Sequence, residues 1–340
     1  MRKRRIMVLM HQELIPPETL DGVSDAEMME WKTEFDVVQT LRYMGHEATP
    51  VGASDDLSKI RDAITELRPH ICFNLLEEFH GVGTYDQHVV SYLELCKQPY
   101  TGCNPRGLML SHDKYLAKKI MTYHRISTPR FTVIPRGKRV KFRTKLEYPL
   151  LVKSVIEDAS LGISESSLVQ DEEALNRQVA YLHETLRSDA LVEEYIAGRE
   201  FYVGVLGNQR LKVLPIWEMK FTKAPKKPTI ATAKVKWDAA TQERLGVETN
   251  AAELPDELRA RIIALCKRVY KALDLSGYAR IDLRCNAEGK VYVLEANPNP
   301  NLSFGEDFAE SADSDGIEYE ELLGRILNLG LSYQAHWRNV

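Results

Sequence analysis

Tyr278-Ala279-Arg280-Ile281-Asp282-Leu283-Arg284, the tetrapeptide Asn286-Ala287-Glu288-Gly289, and Lys290-Val291-Tyr292-Val293-Leu294-Glu295-Ala296-Asn297-Pro298-Asn299-Pro300 decide the reading of this chain. Both arms alternate apolar and polar residues with a period of two, as half-buried strands do, and the tetrapeptide has hairpin chemistry. A turn centred on Ala287 and Glu288 sets Arg280 opposite Glu295 and Asp282 opposite Val293. Opposed residues share a face, so Arg280, Asp282, Glu295 and Asn297 project together, with Ile281, Leu283, Tyr292 and Leu294 on the other side. Asp282 and Glu295 are then diagonal neighbours, ~7–8 Å apart at the backbone. Carboxylates so placed, beside an amide oxygen, can converge on one or two hard cations. A loop of odd length would break this register. The bland alternative is an edge hairpin with a solvated polar face, but its specialised ending, Glu295 to Pro300, favours a site.

Outward from this hairpin the chain changes character twice. The first ~100 residues alternate strand and helix patterns: strand over 5–10, a long helix over 25–44, strand over 46–51, a helix from the N-cap Ser54, and a buried strand over 70–75. A β-α-β-α-β series argues for a parallel sheet covered by helices, with ligands at the carboxyl ends of its strands, here Glu77 to Gly83. Helices follow over 85–96 and 113–124, with a turn-rich Gly102-Cys103-Asn104-Pro105 between them. Beyond Pro129 short strands dominate, over 130–134, 150–155, 191–195, 200–206 and 211–217. Helices over 172–186 and 256–273 interrupt them. The lysine-rich segment 222–240 has no period and reads as a long functional loop.

The whole-chain properties exclude several classes. In 340 residues, 44% hydrophobic and 28% charged, there is room for two domains or three small lobes. A net charge of -4 gives no reason to expect nucleic acid. Ile6–Met10 is too short for a signal peptide's apolar region, and no run reaches the ~18 residues of a membrane span. The five cysteines are scattered without metal-ligand spacing, as reduced thiols of a cytoplasmic protein are.

The motifs now resemble those of the ATP-grasp superfamily, most nearly the D-alanine–D-alanine ligase branch. Matching stretches follow one another in order between about residues 70 and 330: the weaker His80-Gly81-Val82-Gly83 and Tyr100-Thr101-Gly102, then Ser111-His112-Asp113-Lys114 with Lys118, Leu151-Val152-Lys153-Ser154, Glu157 to Ile163, Glu193 to Glu200, and the hairpin. The resemblance implies an α/β and α+β ATP-grasp fold: an N-terminal Rossmann-like lobe over 1–110, a small ATP-grasp lobe over 111–190 and a large one over 191–340. It implies ATP with Mg²⁺ (or Mn²⁺) as cofactors and Asp282, Glu295 and Asn297 as metal ligands. Arg280 would face the transferred phosphoryl group. Lys114, Lys153 and Ser160 would contact ATP phosphates, and Lys236 would reach them from the long loop. Glu193 would meet the adenine amino group, Glu194 and Ile196 border the base, and Glu200 take the ribose hydroxyls. Small-molecule substrates would meet His80, Gly81, Glu306 and Asp307.

The chemistry so implied is a carboxylate–amine ligation through an acylphosphate, by a soluble enzyme with neither nucleic-acid nor membrane partners, a homodimer being a family-level expectation. An ATP-grasp kinase is the rival, and a nucleotide-binding module without turnover has no need of the full residue set. Three departures speak against a true D-alanine–D-alanine ligase. His11-Gln12-Glu13-Leu14 replaces the family's glycine- and serine-rich motif, Ala159 replaces a loop serine, and Glu306-Asp307 stand where a serine and an apolar residue hold the acceptor's carboxylate. Two carboxylates there would favour a cationic acceptor.

Overall fold

Ile6 to Met10 are at most 1% exposed, as a strand covered on both faces must be. They form β1 (Arg5–His11), the centre of a parallel sheet with β2 (Glu47–Ala53) on one side and β3 (Ile71–Asn74) on the other. The structure, a computed structural model, describes residues 3–138, 146–156, 164–223, 230, 232, 235 and 238–339. The helix expected over 25–44 is broken at Trp31 into α1 (Asp25–Glu30), closed by a Ser24/Glu27 capping box, and α2 (Lys32–Tyr43). Helices α3 (Leu57–Leu67) and α4 (Asp86–Leu95) complete this α/β lobe. The turn read over Gly102–Pro105 leads directly into a helix that the sequence pattern did not show, α5 (Pro105–His112). The Asn104 side chain accepts from Gly107 N at 3.0 Å, and Pro105 needs no partner in the first turn. Asp113 caps the next helix, α6 (Lys114–Tyr123).

A second, antiparallel sheet follows, built from β4 (Phe131–Ile134), β5 (Leu150–Ser154), β6 (Leu168–Val169) and β7 (Ala190–Glu194) in the order β4-β7-β5-β6. Helix α7 (Glu172–Tyr181) packs on it around Leu150, Val152, Leu175, Val179 and Val192, a core of its own. The division expected at residue 190 would cut β7, which stays with this sheet.

The third sheet runs β11-β10-β8-β12-β13, from β8 (Arg199–Leu206), β10 (Trp217–Phe221), β11 (Val247–Ala251), β12 (Tyr278–Cys285) and β13 (Val291–Pro298), with the short β9 (Lys212–Val213) beside β8. The strand expected over 211–217 thus divides between β9 and the start of β10. Helices α8 (Ala239–Leu245), α9 (Asp256–Ala272), α10 (Asp307–Asp313) and α11 (Tyr319–Ser332) accompany it. One continuous core holds Met7, Leu9 and Cys72 of the first sheet together with Val203, Ile281, Leu283 and Val293 of the third, and includes Leu108 of α5 and Ile262, Cys266 and Val269 of α9. The seam is tight. A Cβ on Gly277 would lie 2.4 Å from the Gly102 carbonyl oxygen, and its φ of +69° suits glycine. Asn299 Oδ1 accepts from Cys103 N at 2.8 Å and fixes the end of β13 to the same loop. First and third sheets therefore form one platform, and the second stands over it as a separately packed lobe. Among the described residues no helix is long and apolar enough to cross a membrane, and all five cysteines are free, four of them buried.

Candidate active site

The hairpin register differs from the expected one, to the benefit of the site. Asn286 N donates to Lys290 O and Gly289 N to Asn286 O, with Gly289 at φ +74°, so the loop is Ala287–Gly289 and has odd length. Alone, that would send Asp282 and Glu295 to opposite faces. An irregularity between Asp282 and Leu283 restores them: Leu283 pairs with Val293, Asp282 with Glu295 and Arg280 with Asn297, leaving Leu294 as the bulged residue. The two carboxylates are directly opposed, with Cβ atoms ~5 Å apart, rather than diagonal. On the other flank β8 sets Tyr202 opposite Asp282 and Glu200 opposite Arg284. One face of the third sheet thus carries Glu200, Tyr202, Arg280, Asp282, Arg284, Glu295 and Asn297.

These side chains are held in a chain of contacts. Arg280 grips Asp282 with Nε at 2.8 Å and Nη2 at 3.0 Å, and its guanidinium lies 4.9 Å from the centre of the Tyr202 ring. Asn297 Nδ2 donates to Asp282 Oδ2 at 3.0 Å. Burial disfavours the Arg280 charge, but Asp282 outweighs it and keeps the guanidinium firmly protonated. Tyr202 donates to Glu200 Oε1 at 2.9 Å, while Arg284 holds Glu200 Oε2 at 3.0 and 2.5 Å. Arg284 also donates to Ile196 O at 2.9 Å and stacks 4.7 Å from the Tyr195 ring centre.

The second sheet supplies the opposing wall. Lys153 and Glu193 are diagonal neighbours on β5 and β7, with Nζ to Oε1 at 2.9 Å. Lys118 reaches Glu193 Oε2 at 2.7 Å from α6, whose buried stripe is Lys114, Ala117, Lys118 and Met121. Burial alone would raise the Glu193 carboxyl, but the two ammonium groups overcome this and hold it at about 2. Burial lowers Lys118 despite Glu193. For Lys153 it is outweighed by Glu193 and Glu295, which raise it above an ordinary lysine. Lys153 Nζ stands 3.8 Å from Glu295 Oε2, so the two lobes meet charge to charge at the metal-candidate carboxylate.

Not every expected residue faces this cleft. The Glu194 side chain turns outward to Arg130 at 2.6 Å and accepts from Glu147 N. His80 and Gly81, at φ +57° and +70°, are exposed in the turn between Phe79 and Val82. Lys114 is buried, and its backbone N–H donates to Val155 O at the end of β5. Glu306 stands at the N-cap position of α10 without a side-chain capping bond, and Asp307 begins the helix. The Glu306 carboxyl is raised by burial and by Asp307, and Asp307 bears on Arg280. Ser160, Lys236 and the loop 157–163 lie outside the described residues, as does most of 222–237.

The donor set suits a hard cation: two opposed carboxylates and an amide, all offering oxygen. Among the described residues no three His, Cys, Asp or Glu side chains converge as a metal cage. That is consistent with Mg²⁺, which takes one or two carboxylates and completes its shell with water and phosphate oxygens.

The family model for the D-ala D-ala ligase C-terminus matches residues 119–328. The chain belongs to the D-alanine–D-alanine ligase family. A D-alanine–D-alanine ligase of Syntrophotalea carbinolica is 32% identical over 91% of this chain and 93% of its own, and an uncharacterized protein, y4sG, of Sinorhizobium fredii is 34% identical over 86% and 85%. The crystal structure of a D-alanine–D-alanine ligase from Bacillus anthracis complexed with ATP superposes with a TM-score of 0.74 at 26% identity, covering 99% of both chains. The chain is thus an enzyme of the ATP-grasp ligase class with an ATP-grasp fold.

Within that family frame, three contributors escaped the sequence reading as site residues. Lys118 had a signal, a lysine inside an apolar helical stripe with Ala117 and Met121. Arg284 and Tyr202 had a weaker one: each continues the period of two that runs through Arg280 and Asp282 or through Glu200.

Proposed function

We propose that this enzyme uses ATP to activate a carboxylate and joins it to an amine, and that it does not make D-alanyl-D-alanine. The contact that carries the reading is Lys153 to Glu295 at 3.8 Å, where the wall of buried lysines meets the carboxylate pair. ATP would lie between the lobes. Glu193 would turn a carboxylate oxygen to the adenine amino group, beside Ile196, and Glu200 would receive the ribose hydroxyls. Lys114, Lys153, Ser160 and Lys236 would hold the phosphates. Asp282, Glu295 and Asn297 would hold Mg²⁺, which when bound neutralises charge on the transferred phosphoryl group.

In the first step a donor carboxylate oxygen attacks the γ-phosphorus. The new O–P bond forms as the bond to the β,γ-bridging oxygen breaks, and ADP leaves with that electron pair. Arg280, fixed by Asp282 and Tyr202, offers its remaining N–H groups to the oxygens that gain charge, without reorganisation at the moment of reaction. In the second step the amine nitrogen attacks the acyl carbon. A C–N bond forms, phosphate departs with the donor oxygen and the electron pair of the C–O bond, and the nitrogen gives its proton to the departing phosphate or to solvent. Binding both partners in one cleft supplies much of the rate. Glu306 and Asp307 would flank the acceptor; near an anionic group they would repel it, which argues against an acceptor held by its own carboxylate. The test is a screen of acid and amine pairs for ADP release, with mass detection of the condensed product. Phosphorylated product without an amine requirement would point to a kinase instead.

A further inference from the structure

The first turn of α2 lies at the carboxyl ends of the β1–β3 sheet, because α2 leads back to β2, parallel to β1. Ligands bind at that end of such sheets. Glu34 stands on this turn, on the same face as Val37, Val38 and Leu41, and is 6% exposed. Side chains in a helix lean toward its N-terminus, so the Glu34 carboxyl is directed at the crest of the sheet. Its neighbours clamp the segment that follows β13. Lys32 Nζ donates to Phe304 O at 2.5 Å, Thr33 Oγ1 meets Asn301 Oδ1 at 3.0 Å and Ser303 Oγ at 2.6 Å, and Asp36 accepts from Phe304 N at 2.9 Å. That segment ends in Glu306 and Asp307, whose charges reach Arg280.

Glu34 has no side-chain hydrogen bond or ion pair to another described residue. Burial, with Glu77 and Asp36 nearby, raises its carboxyl to about 7. Among the described residues Lys32 is paired with Asp36 at 2.8 Å and Arg280 with Asp282. Glu34's own backbone N–H is the one donor given to its carboxyl, and a ligand cation would supply the counter-charge that no described side chain gives it.

We propose that Glu34 binds an ammonium group of the acceptor, which is a diamine or a basic amino-acid derivative whose other amine is the nucleophile. This rests on the ligase reading and names its acceptor class. Glu306 and Asp307 add negative charge on the Arg280 side of the same space.

Calorimetric titration of the full chain, with a non-hydrolysable ATP analogue and Mg²⁺, compares 1,4-diaminobutane with 4-aminobutan-1-ol and D-alanine. The diamine should bind at least about tenfold more tightly than the amino alcohol, the gain expected of one charge-assisted contact. Glu34→Gln should erase that preference while melting no lower than the parent, since it removes an uncompensated carboxyl. Equal binding of diamine and amino alcohol overturns the site, as does an unchanged preference or a lower melting temperature in Glu34→Gln. ADP release from acid and amine pairs, run in parallel, keeps the two readings apart. Turnover without a diamine preference removes this site alone, and diamine binding without any turnover supports the site while removing the ligase reading.

Discussion

Glu193→Gln takes away the carboxylate that holds two buried ammonium groups together. Lys153 keeps Glu295 at 3.8 Å, whereas Lys118 keeps Thr128 Oγ1 at 2.8 Å, Leu294 O at 3.3 Å and the Phe131 ring, its centre 5.8 Å away, none of which is a counter-charge in contact. Glu193 and Lys118 are each 1% exposed, so solvent screens little of the loss. Removing one partner of a buried pair costs about 3–5 kcal/mol. The titration of Glu193 gives a similar figure: a carboxyl held at about 2 against 4.5 corresponds to roughly 3 kcal/mol at neutral pH. Between those two values the unfolded chain binds the extra proton, so this stability is complete above pH 4.5 and lost as the pH falls through about 2. Calorimetric melting from pH 7 to pH 2 should show the variant several degrees below the parent at pH 7, with the gap closing on acidification. Hydrogen exchange should place the loss in β5 and β7, because the second sheet has its own core. Glu193→Met combined with Lys118→Met should recover much of it, as apolar replacement of a buried pair does. A variant that melts with the parent at pH 7, or a gap unchanged at pH 2, would refute the reasoning.

Asp282→Asn and Glu295→Gln should each lower turnover by about 10²-fold or more; hydrogen exchange in β12 and β13 should stay near the parent's in Glu295→Gln, whereas Asp282→Asn also frees the Arg280 guanidinium and loosens β12. Near-normal turnover in either purified variant would remove the metal assignment. Arg284→Met should raise the KM for ATP about tenfold with kcat little changed, because Arg284 sets the Glu200 carboxylate and the Ile196 carbonyl rather than the reacting atoms. It should also narrow the preference for ATP over 2′-deoxy-ATP, and a preserved preference would count against that role.

Most of the fold was legible wherever periodicity and strand order were strong. The all-buried run Ile6–Met10 and the alternating arms around Asn286–Gly289 placed the first sheet and the central hairpin without ambiguity. The register was not legible, because it depends on two irregularities, the Ala287–Gly289 loop and the bulge at Leu294, that cancel one another. Local pattern cannot show such a cancellation. The helix α5 was hidden behind Gly102-Cys103-Asn104-Pro105, whose residues suit a turn and a helix start equally. Strand β11 lay in a polar, largely exposed stretch that is held by its pairing with β10 rather than by burial. Alternation on β7 explains why Glu193 and Glu194, read as a pair, part company: one enters the lysine wall and the other meets Arg130. Glu34 was invisible because a single acidic residue within an amphipathic helix reads as surface, and only the clamp by Lys32, Thr33 and Asp36 reveals where it lies.

The central claim is that a carboxylate oxygen attacks ATP and leaves as phosphate once an amine arrives. With an acid found by the ADP-release screen and labelled with ¹⁸O in its carboxyl group, mass analysis of the released phosphate tests this directly. One ¹⁸O per phosphate is expected, in step with ADP and with the condensed amide. Unlabelled phosphate, or a stable phosphorylated product formed without any amine, would contradict it.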